Sequence, residues 1–218
     1  MIVELGFRSV DQAEQDLFRA HAAHGVLWAH PCRSLVGLGQ SFCMRIRRAD
    51  RPDDPEACAG IYAPYVRNTI ISFEYEPPGG EEFERRMATS LGWFVAENEV
   101  EVVGYAYLAK HRERSAYQWA ADAAVYVRES EHRSGVGRLL YTKLIEVAKA
   151  GRLRMLCAGV TQPNEASNGF HEAIGFELVG VYRKIGWKFG SWHDVRWYQL
   201  DLAPGDSSPP EMPRFDTS

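Results

Sequence analysis

The sequence contains little cysteine, and its four cysteines are widely scattered, at Cys32, Cys43, Cys58 and Cys157. No Cys-x-x-Cys pair and no cysteine/histidine ligand spacing occurs, so the sequence predicts neither a zinc site nor a disulfide framework. We therefore expect reduced thiols, as in cytoplasmic proteins, and no metal in the functional site.

The sequence also lacks an excess of positive charge and any long apolar run. Its 25 lysines and arginines against 29 acidic residues give a formal net charge of −4, which offers no electrostatic reason to expect nucleic acid. No apolar run approaches the roughly 20 residues of a membrane span. The beginning of the chain lacks the basic-then-apolar pattern of a secretory signal. We expect a cytoplasmic protein that binds neither nucleic acid nor membranes.

The chain is long enough for one domain and an appendage, with 218 residues of which 45% are hydrophobic. Residues 1–43 differ from the rest and are predicted to be an N-terminal extension, either loose or forming a short helix over Asp11–Trp28. The main domain is predicted to span residues 44–203. Residues 204–218 form a proline-rich C-terminal tail, which we expect to be loose.

Hydrophobic periodicity predicts the order β, α, α, β, β, β, α, β, α, β, β over this domain. The β-branched segment from Asn68 to Tyr75 is stopped by two prolines, Pro77 and Pro78. The last two strands are predicted at Phe176–Tyr182 and Val195–Leu202. Strands in a central mixed sheet with helices on its faces make an α+β fold.

The stretch from Ala123 to Leu140 combines a strand, a glycine turn and the start of a helix. Val125–Val127 is the predicted strand and His132–Gly137 the turn. In the helix that follows, the residues sharing an apolar face are Val136, Leu140, Leu144 and Val147. Backbone N–H groups in a first helical turn have no partner inside the helix, and the helix dipole adds positive character there.

Glycines in this turn let the backbone approach a bulky anion closely, because they carry no Cβ. The residues of the predicted cradle are Arg133, Ser134, Gly135, Val136, Gly137 and Arg138. Such a cradle suits a pyrophosphate. An isolated match of this kind is also compatible with an ordinary strand-to-helix connection, and neither the P-loop motif nor the full dinucleotide fingerprint is present.

The pattern Gln/Arg-x-x-Gly-x-Gly/Ala after a strand resembles the coenzyme A pyrophosphate loop of GCN5-related N-acetyltransferases (GNAT), whose element order is also that predicted here. His132 departs from the usual glutamine or arginine, which affects one side-chain contact but not the backbone cradle. The further motifs that carry a resemblance are Ser72-Phe-Glu-Tyr-Glu-Pro, Tyr105-Ala-Tyr, Ala116-Tyr-Gln-Trp, Val125-Tyr-Val, Asn164, His171-Glu-Ala-Ile-Gly-Phe and Gly186-Trp-Lys-Phe-Gly-Ser-Trp-His-Asp-Val. Together they resemble the phosphinothricin N-acetyltransferase family across the whole domain.

This resemblance implies a GNAT fold, a central mixed, mostly antiparallel sheet flanked by helices. It implies acetyl-CoA as co-substrate, a small amino-acid-like amine as acceptor, a homodimer, and a role in antibiotic or herbicide resistance. The implied substrates are phosphinothricin and the sulfone and sulfoximine analogues of methionine.

An amine must lose a proton before it attacks a thioester, so the reaction calls for a base. The family carries a glutamate as its proposed base at the position matching Asp122. The aspartate is one methylene shorter, and an intervening water would compensate for its shorter reach. The alternative is a structural carboxylate bonded to neighbouring backbone N–H groups.

The resemblance implies further roles around the thioester. His171 is the candidate general acid or thiolate partner, with a core histidine as the alternative. The backbone N–H of Tyr126 is the expected oxyanion donor, and the pantetheine arm is expected along Val125–Val127. Asn164 is expected to hold the arm from the other side, unless it is a plain helix cap.

The resemblance also implies an acceptor pocket. Arg114 and Tyr117 match pocket-lining positions, and Phe73 is expected to form an apolar wall. Composition alone favours a solvated loop arginine at position 114. The residues of the shared motif near the last strand are Lys188, His193 and Asp194, and the aromatics near them are expected to serve packing or subunit contact.

The predicted function is acetyl transfer from acetyl-CoA to the amino group of a small amino-acid-like molecule, by direct transfer. One alternative is the same chemistry on another amine, such as a peptide N-terminus or an antibiotic. Another is a coenzyme A-binding sensor without turnover. A sensor would need Gly135, Gly137 and Asn164 but neither Asp122 nor His171.

Overall fold

The computed structural model describes residues 44–208 and 211–215, so the predicted extension at 1–43 and its helix lie outside the described residues. The described chain contains four α-helices: α1 (Asp54–Asn68), α2 (Gly80–Thr89), α3 (Val136–Ala150) and α4 (Glu165–Ala173). Seven strands accompany them: β1 (Arg45–Arg48), β2 (Gly92–Glu97), β3 (Val102–Lys110), β4 (Ala120–Val127), β5 (Met155–Thr161), β6 (Glu177–Lys188) and β7 (Ser191–Asp201). Two short 3₁₀ turns, Ser115–Tyr117 and Glu129–Glu131, flank β4.

The predicted order of helices and strands is confirmed. Asn68 is the last residue of α1, and the rest of the segment up to Pro78 belongs to the loop that links α1 to α2. All seven strands form one sheet, in the order β1-β2-β3-β4-β5-β7-β6. The β4–β5 pair is parallel, and the other neighbouring pairs are antiparallel. This is the mixed, mostly antiparallel α+β architecture that the sequence predicts.

The two faces of the sheet are covered by different helices. One core packs beneath α3, where Val136, Leu140 and Leu144 are fully buried, as the helical spacing predicts. The other packs beneath α1 and α2 around Phe83, Tyr105 and other aromatics. Burying each such large side chain stabilises the fold by about 1.5–3 kcal/mol.

The first helix is anchored to the edge strand by a buried ion pair. The two terminal nitrogens of the Arg47 guanidinium, Nη1 and Nη2, donate to the Asp54 carboxylate at 2.7 Å, and Nε donates to Glu97 at the same distance. Asp54 also accepts the Arg51 backbone N–H in the turn before α1. This network fixes α1 against β1 and β2.

The last two strands form a longer hairpin than the sequence predicts. Phe189 and Gly190 both have positive φ, 49° and 75°, so they form a two-residue turn that matches the twist of paired strands. The predicted boundaries, Tyr182 and Val195, therefore fall inside the hairpin rather than at its end.

The C-terminal tail is held where it is described, which corrects the expectation of a loose segment. Arg214 N–H donates to the Gly151 carbonyl at 3.0 Å, and the Trp119 indole donates to the Glu211 carbonyl at 2.8 Å. Glu211 also pairs with Arg152, and Phe215 packs against the α3 core. Burial of Phe215 and these bonds offset the entropy of ordering five residues.

Among the described helices, none has the length and apolar character needed to cross a bilayer.

Candidate active site

The site lies where the two parallel strands at the centre of the sheet separate. Their pairing runs from Ala120 opposite Met155 to Asp122 opposite Cys157. From there β4 stays paired with β3 as far as Val127, and β5 stays paired with β7 as far as Thr161. The edge of β4 that faces β5 is therefore open after Asp122, and its backbone groups can pair with an extended ligand.

Asp122 sits at the last paired position before this split. Side chains alternate along a strand, which places Asp122 and Tyr126 on the face covered by α1 and α2. The Asp122 side chain is 33% exposed, and its Oδ1 lies 2.7 Å from Nδ1 of His111. Burial raises the pKa of Asp122, and the hydrogen bond from His111 opposes that rise. The carboxylate thus has one oxygen held and the other available.

Donor atoms of His111, Asp122 and Cys157 lie within 4.8 Å of one another. The 2.7 Å separation of the histidine and carboxylate atoms is that of a hydrogen bond. Two ligands of one tetrahedral zinc ion stand farther apart, since each bond is about 2.0 Å long. We therefore interpret the group as a hydrogen-bonded pair beside a thiol. Burial raises the pKa of the Cys157 thiol to about 11, so it is protonated at neutral pH.

The strand register corrects the predicted oxyanion donor. Arg128 N–H donates to the Val103 carbonyl at 2.8 Å, and the register pairs Tyr105 with Tyr126 without a shift. Residues of an antiparallel pair alternate between bonding the partner strand and facing away from it, so the Tyr126 N–H points to β3. The N–H groups that face the split belong to Val125 and Val127.

Val127 is engaged within the protein by Tyr65, which the sequence analysis treats only as part of an apolar stripe. The Tyr65 hydroxyl donates to the Val127 carbonyl and lies 3.4 Å from its N–H. The same hydroxyl is 3.0 Å from Nε2 of His132. Tyr65 and His132 therefore fix the end of β4, and Val125 presents the backbone donor nearest to Asp122 that faces the split.

The predicted anion cradle has the expected geometry. Gly135 is the N-cap of α3 with φ of +90°, a conformation that favours glycine. Leu139 N–H returns to the Gly135 carbonyl, so the N–H groups of Val136, Gly137 and Arg138 are left facing outward. A Cβ at Gly137 would meet only the Phe170 ring, at 4.0 Å, so packing within the described chain does not require glycine there.

His171 lies in the core between α3 and α4 and is 4% exposed. Its Nδ1 is 2.7 Å from the Ser167 carbonyl, and its Nε2 is 2.9 Å from the Tyr141 hydroxyl. The ring also stacks on Tyr198. Burial lowers the pKa of His171, so the ring is neutral near pH 7. With both nitrogens engaged, this geometry favours the core alternative over a proton donor.

Asn164 is the N-cap of α4, where its side-chain oxygen accepts the Ser167 N–H at 3.1 Å. The cap uses the carbonyl oxygen alone, which leaves the amide NH₂ group for a ligand. The capping alternative is therefore observed, and it is compatible with a second role.

The predicted acceptor residues occupy two places. Arg114 and Tyr117 line a cleft of about 280 Å³ that also includes Pro213 and Phe215 of the C-terminal segment. The Tyr117 ring lies 6.0 Å from the His111 ring, which connects this cleft to Asp122.

Phe73 lies in the α1–α2 loop, where its ring covers Gly186 of the hairpin and stands 6.4 Å from His193. A Cβ at Gly186 would come within 2.2 Å of that ring, so a larger residue there would displace Phe73. The loop is also tied down by Tyr75, whose hydroxyl donates to the Trp187 carbonyl at 2.8 Å.

Lys188 of the hairpin bonds both the end of α1 and the α1–α2 loop. Its ammonium group is buried and donates to the carbonyls of Val66, at the end of α1, and Ser72, at 2.6 and 2.7 Å. Burial lowers the pKa of Lys188. His193 stays within the hairpin, with Nε2 3.0 Å from the Lys188 carbonyl. Asp194 accepts the Lys184 N–H at 2.8 Å. The motif residues therefore hold the hairpin and the α1–α2 loop together rather than enter the split.

Comparison with known proteins agrees with this architecture. Residues 47–197 match the acetyltransferase (GNAT) domain family. The chain is 39% identical to a phosphinothricin N-acetyltransferase of Alcaligenes faecalis, over 81% of this chain and 92% of that protein. It is 38% identical to an L-methionine sulfoximine/L-methionine sulfone acetyltransferase of Pseudomonas aeruginosa, over 75% and 98%.

A solved structure shows the same fold. The GNAT phosphinothricin acetyltransferase of Sinorhizobium meliloti, crystallised with acetyl-CoA, superimposes with a TM-score of 0.73 at 29% identity, covering 77% of this chain and 93% of that one. With the family match and these two relatives, the chain belongs to the GNAT family of N-acetyltransferases.

Proposed function

We propose that the protein transfers the acetyl group of acetyl-CoA to the α-amino group of a small amino-acid-like molecule of the phosphinothricin or methionine sulfone and sulfoximine class. The observation that carries this proposal is the Asp122 carboxylate at the point where β4 and β5 separate, with one oxygen held by His111. The acceptors named for the relatives support the substrate class. We expect the reaction in the cytoplasm, and acetylation of such inhibitors as the basis of resistance.

Separate groups of residues are proposed to bind the pyrophosphate and the pantetheine arm of acetyl-CoA. Backbone N–H groups at Val136, Gly137 and Arg138, with Arg133 nearby, suit the pyrophosphate of acetyl-CoA. The pantetheine arm fits the open edge of β4 along Val125–Val127, and the Asn164 amide suits its other side. Removal of one oxyanion-hole donor costs about 10²–10³ in kcat in other enzymes, and the Val125 N–H is the donor proposed here.

Asp122 takes the proton of the attacking amine, directly or through a water. The amine nitrogen bonds the thioester carbonyl carbon, the carbon–sulfur bond breaks, and coenzyme A leaves as a thiolate that then takes up a proton. Arg114 supplies positive charge for the anionic end of the substrate, and Tyr117 and Phe73 supply its walls. Loss of a positioned base costs about 10²–10⁴ in rate.

Release of free thiol from acetyl-CoA tests this function. The panel contains phosphinothricin, methionine sulfone, amino acids, polyamines and a short peptide, each with the wild type and Asp122→Ala. We expect turnover on the sulfone or phosphinate that collapses in the variant while acetyl-CoA still binds. Turnover on the peptide or polyamine alone would overturn the substrate class. Binding of acetyl-CoA without any turnover would indicate a sensor.

We also propose that the protein forms a homodimer through the β6–β7 hairpin. Its exposed apolar side chains are Leu178, Val179, Val181, Tyr182, Ile185, Trp187, Phe189 and Trp192. A monomer rarely exposes so many large apolar side chains on one hairpin, and such exposure is typical of an interface.

A further inference from the structure

His111 is a functional residue that the sequence analysis does not single out, because it falls in a loop of mostly charged residues. It directly follows β3, and the β3–β4 register sets Ala109 opposite Asp122. His111 therefore lies just beyond the position opposite the proposed base, although eleven residues separate the two in the chain. Its side chain is 17% exposed, and rings of Tyr117 and Trp197 stand 6.0 and 6.2 Å from it.

The donor and the acceptor of the His111–Asp122 hydrogen bond can be assigned. A carboxylate only accepts hydrogen bonds, so Nδ1 of His111 carries the hydrogen in the 2.7 Å contact with Oδ1 of Asp122. Oδ2 then remains for the amine proton. Because Asp122 is one methylene shorter than a glutamate, its reach depends on a fixed rotamer, and the imidazole supplies that fixation.

We propose, on the basis of the function proposed above, that His111 is a positioning residue which acts through Asp122, so that the base is a His111–Asp122 pair rather than a lone carboxylate. The imidazole orients the carboxylate and favours its ionised form. The transferred proton goes from the amine nitrogen to Oδ2 and from there to solvent, so no other reactant is required.

Four titratable or charged groups face Asp122 from the surrounding elements: His111, Arg112, Tyr107 of β3 and Cys157 of β5. Burial raises the pKa of Tyr107 to about 12 and that of Cys157 to about 11, so both stay neutral below pH 8. Arg112 keeps its charge, and its exposed position makes its influence sensitive to salt. Among these four, His111 is the group that hydrogen-bonds the carboxylate.

The first test follows the protonation of Asp122 without any turnover. Carboxyl carbon NMR of the full chain, labelled at aspartate and measured in 0.5 M salt to screen Arg112, gives its midpoint in the wild type, His111→Ala, His111→Asn and Cys157→Ser. We expect a midpoint about one pH unit higher in His111→Ala. His111→Asn keeps a donor and should shift less, and Cys157→Ser should not shift. Equal midpoints in all four proteins would overturn the pair.

The second test uses the pH dependence of kcat/KM for the best acceptor of the panel. In His111→Ala the acid limb should move to higher pH together with the Asp122 midpoint. The value of kcat/KM should then fall about tenfold at pH values below the limb and less at high pH. A merely structural histidine would lower the profile at all pH values alike, which would contradict the proposal.

Asp122→Glu provides the rescue. The longer carboxylate needs less positioning, so His111→Ala should cost much less in the Asp122→Glu background than in the wild type. Equal costs in both backgrounds would contradict the proposal. If no acceptor of the panel reacts while the Asp122 midpoint still moves, the pair stands and the proposed function fails.

Discussion

At the scale of single residues, the proposed role of Asp122 as the base predicts a rate that depends on pH. Burial raises its pKa above the ordinary range of an aspartate, with the His111 hydrogen bond opposing the rise. A base must be ionised to accept a proton, so activity is present above this raised pKa and is lost as the pH falls through it.

We therefore expect the acid limb of kcat/KM to lie above about pH 3.9, the value at which a solvated aspartate titrates. A profile of kcat/KM from pH 4 to 9 at constant ionic strength checks this. A limb at or below the ordinary aspartate value would mean that another group limits the rate.

Substitution of His171 can distinguish a structural role of this histidine from a role as a proton donor. Its two nitrogens bind the Ser167 carbonyl and the Tyr141 hydroxyl. We expect His171→Phe to lower the free energy of unfolding by about 1–3 kcal/mol, since both partners lose a buried hydrogen bond.

Per folded molecule, kcat of His171→Phe should change little, and urea unfolding together with initial rates measures both quantities. A loss of about 10² or more in kcat at unchanged stability would instead assign His171 as the general acid.

At the scale of elements, the two glycines at the start of α3 are expected to differ in role. Gly135 has a left-handed backbone, so Gly135→Ala is expected to cost about 1–2 kcal/mol of stability. Gly137 has open space around a Cβ within the described chain, so Gly137→Ala should not destabilise the protein.

Gly137→Ala should nevertheless weaken acetyl-CoA binding by about tenfold or more, because a methyl group would hold the pyrophosphate away from charge-assisted hydrogen bonds. Calorimetric titration of acetyl-CoA, with thermal melting of the same variants, checks both statements. Unchanged affinity in Gly137→Ala would move the pyrophosphate away from this turn.

The hairpin and the α1–α2 loop depend on Lys188, which satisfies two buried carbonyls. Lys188→Met leaves both carbonyls without that donor and should cost about 2–4 kcal/mol of stability. It should also raise KM for the amine more than KM for acetyl-CoA, because Phe73 belongs to the loop that is released.

Lys184→Met, at an exposed position of the same strand, is the matched control and should leave both constants unchanged. Chemical unfolding and two-substrate kinetics provide the measurements. An equal rise of both KM values in Lys188→Met would argue against a specific effect on the wall that Phe73 is proposed to form in the acceptor pocket.

The elements themselves were largely predictable because hydrophobic period and turn chemistry are local properties. The Gly135 turn was accessible for the same reason, and Asp122 was accessible through the resemblance of its motif to the phosphinothricin N-acetyltransferase family. The contact between His111 and Asp122 was not, since it depends on the β3–β4 register. The oxyanion donor was expected at Tyr126, whereas the β3–β4 register directs that N–H towards β3, because the direction of a backbone N–H follows from pairing rather than from sequence.

At the scale of the whole molecule, the exposed hairpin predicts an assembly that charge can disrupt. We expect Ile185→Asp and Trp192→Asp to convert a dimer into a monomer, because each places a charge in the proposed apolar interface. Light scattering coupled to gel filtration measures the mass. Val100→Asp, at an 87% exposed valine in the β2–β3 turn, is the control and should leave the mass unchanged. A monomeric wild type would overturn the proposed dimer.

The tail residues 211–215 illustrate what composition alone misjudges. Prolines favour an open segment, and the sequence analysis expected one, but a single aromatic side chain and three polar contacts hold this segment against the domain. The tail also supplies two lining residues of the Arg114 cleft, Pro213 and Phe215.

The separation of β4 from β5 leaves the protein with a seam through the middle of its sheet. A ligand that fills the seam binds only the folded state, and it stabilises that state in proportion to the logarithm of its concentration. Heat resistance and amide-exchange protection at Val125 should therefore rise and fall with the supply of acetyl-CoA.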